Sequence, residues 1–88
     1  MINRLLTLGQ GNPGALSVLK QLVDGGHEET IDQLENAGAT GARIWLLYKD
    51  ICEEDLDRLV LASVNIPTLF IEYPAVKAEW DYYAQLPL

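Results

Sequence analysis

The chain contains a single cysteine, Cys52, so no disulfide can form within it, and this fits a reducing compartment. It also has a single histidine, His27, which leaves no imidazole pair for a metal or a proton relay. Basic residues are few: six Lys and Arg stand against thirteen Asp and Glu, for a net charge of −7. A field of that sign repels nucleic acid, anionic lipid and phosphorylated substrates. The bases are also scattered (Arg4, Lys20, Arg43, Lys49, Arg58 and Lys77), so no basic stripe forms along any one segment. No apolar run approaches the ~20 residues that cross a bilayer. The opening MINRLLTLGQGNPGAL lacks the sustained apolar segment of a signal peptide. Membrane insertion and secretion are therefore disfavoured, and a cytoplasmic location follows by elimination.

What the chain does have is apolar side chains in helical register. Hydrophobic residues make up 49% of its 88 positions and charged residues 22%, too apolar for disorder and short enough for one domain, 1–88. Punctuation by Gly and Pro comes every ten to fifteen residues, which suits short helices joined by tight turns. INRLLTLG forms one or two amphipathic turns, stopped by Gly9 and Gly11. In NPGALSVLKQLVDGG, Asn12 is an N-cap, Pro13 occupies the first helical position, and Gly25 takes the left-handed closing conformation. HEETIDQLENAG predicts a mostly wet helix, with Glu28 and Glu29 in its first turn and Ile31 and Leu34 as its apolar edge.

The stretch RIWLLYKDIC, capped by Thr40, is the centre of the expected fold. Ile44, Leu47, Tyr48 and Ile51 follow i, i+3, i+4, i+7, and Trp45 and Cys52 widen that face. At ~100° per residue Leu46 points almost opposite. A helix apolar nearly all round belongs between other elements. The acids of EED then fall in the first turn of the next helix, whose stripe is Leu56, Leu59, Val60 and Ser63 with Val64 close by, ended by Asn65. Ile66 precedes Pro67 and is biased toward extended geometry, so TLFIEY reads as an extended segment or a single helical turn. PAVKAEWDYYAQ is helical again, starting at Pro74, with Val76, Trp80 and Tyr83 on one face and Pro87 as its stop. The expected architecture is all-α: a compact single-domain bundle of about five short helices around a central apolar helix near 41–51. Residues 66–88 form a less regular extension packed on it.

No residue pattern assembles a chemical site. Trp45 and Tyr48 could form an aromatic platform, but their spacing assigns them to packing. Cys52 could act as a nucleophile near a helix N-terminus, yet the carboxylates of KDICEED oppose a thiolate. His27 with Asp24, Glu28 and Glu29 could begin a metal or general-base site, but a lone histidine in a Gly-Gly turn is ordinarily solvated or capping. GQGNPG lacks the Lys-Ser/Thr of a phosphate loop. Residues 31–50 have the outline of a helix-turn-helix, with Gly38–Asp50 as its reading half. The second helix, however, offers Trp45 and Leu46 where base and phosphate contacts need polar groups. No cofactor or metal is expected, no catalytic residue is assigned, and a small enzyme using Cys52 or His27 is the weakest alternative.

The Gly11, Asn12, Pro13, Gly14 opening and the Ile44, Trp45, Leu47, Tyr48, Lys49, Asp50 core resemble small helical proteins met in bacteriophage and metagenomic sequences. The resemblance covers roughly the first 60 residues, does not extend to the tail from Pro67 onward and implies no activity, so it assigns no functional residue; a phage origin would place the protein in host cytoplasm. The expectation is a small acidic helical protein that acts through protein contacts or self-association. Leu46, Trp80 and Tyr82 are its candidate contact residues, because aromatics with polar tips are favoured at interfaces.

Overall fold

Helix formation follows the punctuation. In the computed structural model, which describes residues 2–85, the elements are α1 (Ile2–Gly9), α2 (Pro13–Asp24), α3 (Glu28–Asn36), α4 (Ala42–Leu46) continuing as a π-turn (Leu47–Ile51), α5 (Leu56–Ala62) continuing as a 3₁₀ turn (Ser63–Asn65), α6 (Ile66–Glu72) and α7 (Pro74–Ala84). Counting α5 and α6 as one run kinked at Asn65, six helical bodies and no strand occur among the described residues, where about five helices were expected. The Pro87 stop lies outside the described residues.

Asn12 caps α2 as its chemistry requires: its Oδ1 accepts from the Ala15 amide at 3.0 Å, an interaction worth ~1 kcal/mol. The left-handed residue after α2 is Gly26 (φ 77°), not Gly25, which stays at φ −86°. Glu28 and Glu29 occupy the first turn of α3, and Ile31 and Leu34 are fully buried beneath it. Arg4 spans from α1 to Asp32 and Glu35 on the outer side of α3.

The start of α4 is set by a glycine rather than by Thr40. Gly41 adopts φ 50°, ψ −125°, and its amide donates to the Leu8 carbonyl at 2.7 Å, tying the end of α1 to the start of α4. No side chain caps this helix.

The middle segment is the interior axis. Arg43 and Trp45 lie roughly 200° apart on α4 at helical spacing, and each meets a different helix. Arg43 Nε donates to the Trp80 carbonyl of α7, while the Trp45 indole lies against Gly14 of α2. Leu46 projects only about 60° from Arg43, on the α7 side, and is 4% exposed. Its expected outward position is therefore corrected: the face opposite Ile44 has its own cover. Trp45, expected in the core, is half-buried at the margin of α2.

The π-turn accounts for Cys52. The Cys52 amide donates to the Leu47 carbonyl at 3.0 Å, an i→i+5 bond. In such a turn each residue advances by roughly 80° rather than 100°, so Ile51 and Cys52 flank the direction of Leu47 and all three are buried. The acids that follow do not start a helix together. Glu53 (φ 55°) and Glu54 (φ 61°) take left-handed conformations, and Asp55 is the N-cap, accepting from the Asp57 amide at 3.0 Å.

The last third is more regular than expected. Ile66 is helical (φ −60°, ψ −41°) despite preceding Pro67, and α6 runs seven residues, so neither an extended segment nor a single turn describes it. The kink falls one residue earlier, at Asn65 (φ −147°, ψ 77°), which leaves Pro67 in the first turn, where its missing N–H is harmless. In α7, Val76, Trp80 and Tyr83 face inward as their spacing predicts, and the Phe70 and Trp80 rings pack with centroids 5.2 Å apart.

Candidate functional site

The residues singled out for chemistry are kept apart by the fold. Cys52 sits beside Ile51 at the base of a hollow between the π-turn, α5 and α6, and His27 lines a separate hollow with Glu29, Thr30 and Gln33. Burial pushes the Cys52 thiol up to about 11, with Arg58 pulling it down and Asp55 adding a small push upward. Desolvation is therefore the main obstacle to a thiolate, ahead of the neighbouring carboxylates. His27 stands at the N-cap position of α3 but makes no side-chain capping bond. Among the described residues, no three His, Cys, Asp or Glu side chains converge to hold a metal ion.

The helix-turn-helix segment is likewise used internally. Arg43, its one basic residue near the turn, donates through Nε to the Trp80 carbonyl at 2.9 Å and through Nη1 to the Gly38 carbonyl at 3.2 Å. Ile44, Leu46 and Leu47 are buried, leaving Lys49 and Asp50 as the exposed charges of its second helix.

Of the three candidate contact residues, the fold leaves one on the surface. Leu46 and Trp80 are 4% and 6% exposed, covered by their own chain and closed to a partner, whereas Tyr82 is 59% exposed beside Tyr83. Trp80 is claimed by two neighbours, the Arg43 guanidinium over its ring and Phe70 at its side.

Further exposed apolar side chains lie on α1, at Ile2 and Leu6, and on the kinked α5–α6 run. Leu61, Val64 and Ile71 are 75%, 69% and 81% exposed. Leu61 and Val64 border a shallow hollow of about 270 Å³ with Ala62 and Leu69, and Thr68 and Glu72 close it on the α6 side. The hollow's neighbour, about 290 Å³, shares Leu61, Ala62, Leu69 and Glu72 and adds Arg58 and Tyr73. Ser63 is buried as its place in the α5 stripe predicts, its hydroxyl 2.9 Å from Gln33 Oε1, while the 3₁₀ turn at Ser63–Asn65 carries Val64, expected close by the stripe, outward. Helical periodicity does not single out Ile71, because the Ile66–Pro67 step biases TLFIEY away from a full helix in the sequence.

No single helix among the described residues is long and apolar enough to cross a membrane; the one pair apolar enough in combination, Leu56–Glu72 with Pro74–Tyr83, bends by 112°. Comparison with known proteins finds no matching family model, no similar curated protein and no similar solved structure.

Proposed function

We propose that the protein acts through protein contacts made by its surface, as a small acidic helical contact module of the cytoplasm. The observation that carries this reading is the group of Leu61, Val64 and Ile71, three aliphatic side chains each more than two-thirds exposed on adjoining helices, the first two on the rim of one hollow. Single exposed aliphatics are ordinary, but a contiguous group rimmed by polar residues marks an interaction site. Tyr82 offers a second, smaller apolar surface on α7.

Two other readings have less support. DNA recognition through 31–50 needs the second helix free for a groove, and α4 lies between α2 and α7 with Arg43 held by two carbonyls. An enzyme using Cys52 needs an accessible thiolate, and the thiol is buried and hard to ionise.

A photo-crosslinking amino acid at Val64, introduced into the full chain in cells, tests the contact reading. The expected result is a covalent adduct to protein at position 64 and none at exposed Lys20 on the polar side of α2. Equal labelling at both positions, or none at either, contradicts it.

A further inference from the structure

Helix α7 is held to the rest of the fold by far less than α2 is. Ala15, Val18, Leu19 and Leu22 of α2 are all completely buried. Of the described side chains of α7, Trp80 alone is buried; Val76 and Tyr83 are half-buried and the others are exposed. Among the described residues, one hydrogen bond joins α7 to the helices it packs on, α4 and α6: Arg43 Nε donates to the Trp80 carbonyl. The ion pair of Lys77 with Asp81 stays within the helix and attaches it to nothing. A segment with so few buried apolar side chains opens at a lower free energy than the whole chain.

The connection to α6 permits that opening. Tyr73, the single residue between the two helices, lies at the surface with φ −124° and ψ 66°, where the chain bends by 112°. Its amide donates back to the Leu69 carbonyl, and its own carbonyl accepts from the amides of Val76 and Lys77. Rotation about ψ of Tyr73 therefore swings α7 and breaks neither set of bonds. A residue before proline ordinarily sits at ψ of about 120–160°, so a populated backbone well lies along this rotation. Arg43 keeps its place when α7 moves away, because its Nη1 is bonded to the Gly38 carbonyl.

We propose that α7 is a strap hinged at Tyr73 that opens while the core around α2, α3 and α4 stays folded. The Arg43–Trp80 contact is its latch, and opening bares Trp80 and the Phe70 ring packed against it. The strap goes beyond the contact reading and does not depend on it.

Hydrogen exchange of the full chain under native conditions tests it. Amides of Ala78 to Tyr83 are expected to be protected at least about tenfold less than those of Val18 to Leu22. Ile31→Val, in a helix that packs chiefly on α2 and the Ser63–Asn65 turn, lowers protection in α2 by about threefold or more and leaves that of α7 unchanged. Arg43→Ala lowers protection in α7 by about tenfold or more. Trp80→Ala strips α7 of protection while α2 and α3 remain protected. Equal protection in α7 and α2, a parallel fall of both in Ile31→Val, an unchanged α7 in Arg43→Ala, or loss of the whole fold in Trp80→Ala overturns the proposal.

Discussion

Arg43 lies across the indole of Trp80, its guanidinium carbon 4.5 Å from the ring centroid, while its Nε donates to the backbone carbonyl of that same residue at 2.9 Å. Its Nη1 reaches the Gly38 carbonyl just past α3. One side chain thus joins the end of α3, the central helix and the closing helix, and no carboxylate takes part in these contacts. Replacing it by Ala removes two charge-assisted hydrogen bonds and the ring contact, a loss of about 2–4 kcal/mol. Lys retains the charge but not the fork, so Arg43→Lys loses roughly half as much. Urea midpoints of the two variants measure this ordering; equal midpoints for Ala and wild type contradict it.

Gly14 leaves room for Trp45. A Cβ at position 14 would lie 2.6 Å from Trp45 Cε3. Alanine ordinarily favours a helix over glycine by about 1 kcal/mol, so propensity alone predicts that Gly14→Ala stabilises. Overpacking against the indole predicts the reverse, a net loss of about 1–2 kcal/mol. The same substitution in a Trp45→Leu background recovers most of that loss. Thermal melts of the four chains decide the sign.

Gly41 combines two constraints that separate experimentally. Its φ of 50° with ψ −125° is open essentially only to glycine, and a Cβ there would also lie 2.8 Å from Gln10 Oε1. Gly41→Ala is expected to destabilise by about 2–3 kcal/mol. Gln10→Ala relieves the steric part alone, so the double variant remains less stable than Gln10→Ala. Full recovery would show that the backbone conformation costs nothing.

The Cys52 thiol makes stability pH-dependent at the alkaline end. Its pKa is raised to about 11 in the folded chain, chiefly by burial. Between the ordinary thiol value and that one, the unfolded chain loses a proton that the folded chain keeps, so stability falls as pH rises through this window. The contribution is on the order of 2 kcal/mol, present below the window and lost above it. Chemical denaturation from neutral to strongly alkaline pH should show this fall in wild type and a shallower one in Cys52→Ala. At neutral pH the native thiol should resist a disulfide reagent that labels the unfolded chain at once.

Sequence pattern carried the individual helices well where local chemistry decides. Asn12 with Pro13 starts α2, Ile31 and Leu34 face inward from α3, and Val76, Trp80 and Tyr83 line the inner face of α7; each depends on capping or 3.6-residue spacing alone. Departures arise where a second element intervenes. Leu46 is buried because α4 has neighbours on opposite sides, which one helix's periodicity does not reveal. Trp45, expected in the core, stays half-buried beside Gly14, and Val64 turns outward because a 3₁₀ turn changes the angular step.

The exposed aliphatic group on α5–α6 is the least legible feature. Leu61, Val64 and Ile71 differ from buried leucines and isoleucines only in what the rest of the chain fails to cover. Composition singles out the aromatic residues, yet Trp80 is held under Arg43 and beside Phe70. Exposure of an aliphatic side chain is a property of the assembled fold, whereas a cap or a glycine turn is a property of a few consecutive residues.

The central claim is that Ala42–Ile51 forms the interior axis on which α2 and α7 pack. Native-state hydrogen exchange tests it most directly. Amides from Leu46 through Cys52 are expected to exchange only through global unfolding, with opening free energies equal to the whole-chain stability measured by denaturant. Exchange of those amides as fast as that of the exposed outer turns of α1 would contradict it.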